Sequence, residues 1–195
     1  MAGKKQFDMD AALDAAMIQF WREGYADTSL DDLSRATGLN RSSIYSSLGD
    51  KDTLFLRCLD VYAARYGEKY DAALSGAASD PVAAVRAFFD VTLERIADPG
   101  VPDGCLIAQS AMAIPALSPA VAARAKQALG SQRLRLRAAL EAGRRLADQD
   151  VEAFAVHVAA VNQSLAVMSR AGVTPEQLLA IVGVTVDALS QASRA

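Results

Sequence analysis

The sequence predicts an all-α chain of about nine helices, and three observations carry that prediction. Apolar residues recur every three or four positions along nearly the whole chain, as at Val151, Phe154, Val158, Val161, Leu165 and Met168. No segment sustains the period-two alternation of a half-buried strand. All six prolines lie beyond residue 80, and three directly follow a capping residue, at Asp80-Pro81, Ser118-Pro119 and Thr174-Pro175.

Taken in order, the first helix is expected over residues 8–24, where Leu13, Ala16, Met17, Phe20 and Trp21 share one stripe. The second (29–37) stops at Gly38, and the third (40–48) at Gly49. A fourth spans 50–75. The fifth, 80–97, starts at Asp80-Pro81 and runs into the loop DPGVPDG, which holds Pro99 and Pro102. A short sixth helix, 104–113, ends before Pro115 in AIPAL. The seventh (118–147), eighth (149–171) and ninth (174–192) follow, the last opened by a capping-box spacing from Thr174 to Gln177. Three short helices within the first 50 residues and long ones after them suggest a compact N-terminal unit, 1–52, and a helical body, 53–195.

At 195 residues, 52% hydrophobic and 22% charged, the composition is that of an ordinary globular protein. The formal net charge of −3 advertises no polyanion partner. Cys58 and Cys105 cannot form a disulfide framework, and their spacing fits no zinc site. No secretory signal and no run of 18 apolar residues is visible, so the cytoplasm is the expected compartment, with no membrane contact and no cofactor. One histidine, no paired metal-ligand motif, no glycine-rich phosphate loop and no nucleophile motif make an enzyme the weakest reading.

The informative stretch is GLNRSSIYSSLGDK, Gly38 to Lys51. On a helical wheel Ile44 and Leu48 face inward together, joined by Leu39, while Ser42, Ser43 and Ser46 face out with Tyr45 on their flank. Short hydroxyls allow close approach to a bulky partner, and Arg41 can grip a phosphate or a guanine edge as a fork. Tyr45 and Lys51 add phosphate-binding groups. No acid occurs from Leu33 to Gly49, although acids outnumber bases nine to seven across residues 1–57. Helix, glycine turn and polar-faced second helix is the helix-turn-helix pattern, whose second helix enters the major groove. A merely solvated serine face is the competing account of the same spacing.

The stretch ALDAAMIQFWREGYADTSLDDLSRATGLNRSSIYSSLGDKDTLF resembles the DNA-binding domain of the tetracycline-repressor (TetR) family. The matching features are Gly24-Tyr25, Thr28-Ser29, Leu33, Gly38, Ile44-Tyr45, Lys51 and Leu54-Phe55. The resemblance implies a dimeric regulator, a repressor, that binds a palindromic double-stranded operator and is released by a small-molecule inducer. It implies phosphate contacts at Thr28, Tyr45 and Lys51 and a groove-facing set of Arg41, Ser42, Ser43 and Ser46. Ser29 and Asn40, at the starts of the two helices, complete the DNA-binding set. Ser46 and Ser47 stand where many relatives carry a second aromatic or a histidine.

Between Val151 and Ala195 only Glu152, Arg170, Glu176, Asp187 and Arg194 are charged, and the last two helices are apolar on more than one side. Helices of that kind are buried on two faces, which fits a four-helix interface between two copies of the chain. An unidentified effector is expected within residues 80–147 and their neighbours. Tyr62, Tyr66, Phe88, Phe89, Cys105, Gln109, Met112, Phe154 and Met168 are its candidate contacts, with His157, Asn162 and Gln163 as polar ones. Cys105 follows a glycine at the start of a short helix, where the helix dipole favours thiolate, and its surroundings resemble repressors of electrophile-detoxifying genes. Seven basic groups between Arg124 and Arg145 face Glu141 alone, and pairs of Glu141 with Arg137 and Arg145 are expected. The alternative to a DNA-binding regulator is a helical small-molecule binding module that has lost DNA contact.

Overall fold

Capping chemistry starts most of the helices in the computed structural model, which describes residues 8–144 and 146–194. Among those residues there are nine α-helices and no strand. They are α1 (Met9–Glu23), α2 (Leu30–Thr37), α3 (Arg41–Leu48), α4 (Lys51–Gly76), α5 (Pro81–Ala97), α6 (Leu106–Met112), α7 (Pro119–Gly143), α8 (Asp148–Arg170) and α9 (Pro175–Ala192). Asp8, Ser29, Asn40, Asp50, Asp80 and Thr174 each accept backbone N–H groups in the first turn of the helix that follows. A 3-10 turn at Ile114–Ala116 replaces the simple loop expected around Pro115.

Two boundaries differ from expectation. The sixth helix begins at Leu106, because Gly104 adopts a φ of 86° and Cys105 is still extended. The seventh ends at Gly143, where Arg144 takes a left-handed φ of 49°. The expected Glu141–Arg137 pair forms at 2.8 Å, whereas Arg145 lies outside the described residues.

The core is continuous from the N-terminal helices into the body. Phe20 and Phe55 meet edge-on at 4.7 Å, and Trp21 stands perpendicular to Tyr62 at 5.0 Å. All four are buried, and burying an aromatic of this size contributes about 1.5–3 kcal/mol. Residue 52 falls in the first turn of α4, whose buried face continues through Phe55, Cys58, Leu59 and Tyr62 against α1. In the body α5 and α7 pack on α4, α8 packs on α5 and α7, and α9 packs on α5 and α8, with a buried polar node among them. There the Thr92 hydroxyl donates to Asn162 Oδ1 at 2.6 Å, and Asn162 Nδ2 donates to Gln132 at 3.2 Å.

Helix α8 is long and apolar enough to cross a membrane by length and composition. Within the fold Val151, Ala155, Val158 and Leu165 bury one side of it, and Asn162 and Gln163 both donate to Gln132 of α7.

Candidate DNA-reading face and effector cleft

The turn between α2 and α3 is built by local hydrogen bonds. Gly38 takes a left-handed φ of 69°, Thr37 Oγ1 donates to Leu33 O at 2.7 Å, and the Ser34 hydroxyl donates to Leu39 O. Ile44 and Leu48, both buried, seat α3 on the core. Their burial points the opposite side of α3 to solvent. Ser42 and Ser46 are exposed and Tyr45 is 53% exposed, so the hydroxyl side of this helix faces outward.

The other expected contacts fare differently. Thr28 is completely buried and its hydroxyl donates to Gly24 O at 2.6 Å, so its side chain cannot reach a phosphate. Ser29 forms a reciprocal capping box with Asp32, and Asn40 Oδ1 accepts from Ser43 N at 2.8 Å. Both remain exposed, but their side chains are engaged in starting helices. Ser43 is half-buried. Arg41 donates from both fork nitrogens to Asp31 of α2, at 2.8 and 2.6 Å. Arg35 pairs with Asp32. The acid-free run from Leu33 to Gly49 therefore has its charge answered by the two acids just upstream. Lys51 lies 4.4 Å over the ring of Tyr25, whose hydroxyl donates to Asp52. Burial holds the lysine below its ordinary pKa, and burial followed by the Asp52 bond pushes Tyr25 up to about 12.

In the body, a cleft of about 350 Å³ opens between α6 and α8, walled by Cys105, Gln109 and Met112 among others. Cys105 is buried at the helix N-cap position, and its Sγ accepts from Tyr62 Oη at 3.3 Å. Burial, then the neighbouring Cys105, holds that phenol well above its ordinary pKa, so it stays a donor. The remaining pocket candidates are core. Phe88 and Phe89 are fully buried, and Phe88 stacks on Tyr70 at 4.5 Å. Tyr62 and Tyr66 border a void of only about 20 Å³, room for a water and no more. Phe154 and Met168 are half-buried against the core and line no described cleft. Asn162 is satisfied internally, and His157 is exposed, its Nε2 3.5 Å from Thr185 Oγ1.

Residues 12–58 match the model of bacterial regulatory proteins of the tetR family, and residues 81–182 match the tetracyclin repressor-like C-terminal domain. The chain belongs to the TetR family. It is a DNA-binding transcription regulator and not an enzyme. Over 93% of its length this TetR-family chain is 30% identical to the HTH-type transcriptional repressor ComR of Escherichia coli K12, covering 88% of that protein. A solved cysteine mutant of the TetR family regulator CifR, complexed with 26bp double-strand operator DNA, superposes with a TM-score of 0.87 at 30% identity. That match covers 94% of this chain and 98% of the other. A TetR-family regulator from Agrobacterium tumefaciens gives 0.81 at 26% identity, covering 91% and 95%.

Sequence reasoning missed Asp31 and Asp52 beside the reading face and Arg170 on the wall of the cleft. The acids lay in plain view, but no spacing rule links residues 31 and 41 until the turn is built.

Proposed function

We propose that the chain is a repressor that binds a pseudo-palindromic operator as a homodimer in the cytoplasm and releases it when a small molecule occupies the body. The observation that carries this reading is the outward hydroxyl face of α3, held by Ile44 and Leu48 and flanked by Tyr45, Arg41 and Lys51. Ser42, Ser43 and Ser46 are the residues proposed to enter the major groove, with Arg41 released from Asp31 to join them and Tyr45 and Lys51 on the flanking phosphates. The division proposed is a reading unit up to about residue 52 and an effector and dimer body after it. The operator complex solved for CifR supports DNA reading by a relative of this fold.

Pairing is supported by exposed apolar residues on the last two helices. Val156 of α8 and Leu179 and Val184 of α9 are 48–73% exposed in the single chain. Two copies of this face form a four-helix interface. One reading head contacts too few phosphates to hold an operator tightly, so dimerisation and repression go together. Footprinting on the DNA upstream of its own gene tests the reading. A two-fold symmetric protected site, with half-sites about one helical turn apart or a multiple of it, is the expected result. Absence of binding, or binding with no dependence on salt, favours the binding-module alternative.

A second reading concerns Cys105, whose Sγ sits on the cleft wall beside the donor Tyr62. The thiol adds to an electrophilic carbon, its proton passing to the acceptor, and the adduct fills the cleft. A Cys105→Ser variant that responds to every electrophile as the parent does would dispose of this reading.

A further inference from the structure

The last turn of α1 leaves carbonyls with no partner inside the helix, as every helix end does. Two of them are capped from the body. Arg170, the last residue of α8, donates to Trp21 O at 3.2 Å and to Arg22 O at 2.7 Å. The amide of Gln109 on α6 is satisfied in one orientation, with its nitrogen 2.9 Å from Trp21 O and its oxygen 3.3 Å from Gly24 N. The first helix of the reading unit is thus clamped by two side chains that also wall the α6–α8 cleft.

The cleft has a definite chemistry. Among the described residues Arg170 is the one charged group lining it, and no acid lines it. The other walls are Gln109 and small or apolar groups, among them Ala108, Met112, Ala166 and Val167. Gly104 takes a positive φ of 86° that favours glycine, and the Arg170 side chain passes beside it. Behind Gly104, the buried Arg95 donates to its carbonyl oxygen, and Arg95 Nε has no partner among the described residues. Arg170 on the wall and Arg95 behind it thus both give their described hydrogen bonds to neutral acceptors, beside a hollow that no acid lines.

The geometry points to the α6–α8 cleft as a binding site for a carboxylate-bearing amphipath whose anion takes Arg170 from the end of α1. A carboxylate offers the guanidinium two parallel charge-assisted hydrogen bonds, stronger than those to two neutral carbonyls. An apolar tail displaces water from the Ala108, Met112 and Val167 walls. The cost falls on α1, which loses one of its two caps and its tie to α8. This site deepens the proposed function by naming an effector class, and its regulatory half rests on that reading.

The probes are octanoate, octanamide and acetate, read by the emission of Trp21, the only tryptophan. The titration uses the full-length protein without DNA, so it tests the site whether or not the protein binds an operator. Octanoate should give a saturable change that octanamide and acetate do not match. Arg170→Gln should weaken octanoate by about tenfold or more, the scale of losing one charge-assisted pair. Val167→Phe, which fills the rim at an exposed position, should weaken it similarly should Arg170→Gln fail to fold. Equal binding of octanamide, or octanoate binding unchanged in a folded Arg170→Gln protein, overturns the site. With operator present, octanoate should lower DNA affinity of the parent and not of Arg170→Gln. Octanoate bound with operator affinity unmoved overturns the clamp, and a parent protein that binds no DNA overturns the repressor reading while the titration still decides the site.

Discussion

In the free protein Arg41 has both ends of its fork occupied by Asp31, so reading DNA requires an exchange of partners. The pair is exposed, where solvent and salt screen an ion pair strongly, and a phosphate or guanine edge can compete for the arginine. Asp31→Asn should therefore raise affinity for non-operator DNA and steepen the salt dependence by about one unit, as one more cation becomes available. Anisotropy titrations across salt concentrations measure it, and an unchanged slope contradicts the exchange. Tyr25 gives a pH signature. Its pKa is raised from 10.0 to about 12, so the folded state favours the protonated phenol. That contribution is fully present below pH 10 and is lost as pH rises towards 12. Denaturant melts should show Tyr25→Phe less stable than the parent at neutral pH, with the gap narrowing over that alkaline window. At this scale the sequence exposed residue types but not pairings. Arg41 could be proposed as a groove residue from its helix position, while its partner lies across a turn that only the fold closes. Thr28 was misplaced because a hydroxyl near a reading helix says nothing of whether the backbone behind it needs a donor.

Helix starts were legible to within a residue or two because their signals are chemical: an oxygen at Ser29, Asn40, Asp80 or Thr174 that accepts the first free N–H groups. Helix ends depend on backbone conformation, and Arg144 shows that a non-glycine residue can end α7 in the left-handed region. The two glycines that bracket α3 can be ranked. Gly38 has a φ of 69° and open space where a Cβ would stand, so alanine there meets backbone strain alone, about 1 kcal/mol. At Gly49 the φ is 90° and an added Cβ would stand 2.8 Å from the Thr53 side chain, a steric conflict on top of strain. Urea denaturation should find Gly49→Ala the more destabilised of the two, and the reverse order would show that the α2–α3 turn is held by something other than these conformations.

For the molecule as a whole, the helical body was predictable and its interior was not. Periodicity marks which residues turn inward, and Phe88 and Phe89, named as effector contacts, do turn inward from α5. It cannot distinguish a side chain that lines a cavity from one that fills it, and both rings fill it. The cleft emerged instead from loop geometry at Gly104 and from a terminal arginine on α8, features with no periodic signature. The same holds for the apolar face of α8 and α9, where composition indicated a second partner and the fold showed which residues remain uncovered. The proposed function requires two copies of α3 presented to one duplex. Pulsed electron paramagnetic resonance on the operator complex, with a nitroxide at Ser46→Cys in a Cys105→Ser background, measures their separation directly; Cys58 is fully buried. A narrow distance distribution centred near about 34–36 Å, one turn of B-DNA, or at a multiple of it, is the result expected for paired reading heads. A broad distribution, or no dipolar coupling with DNA bound, would contradict the account.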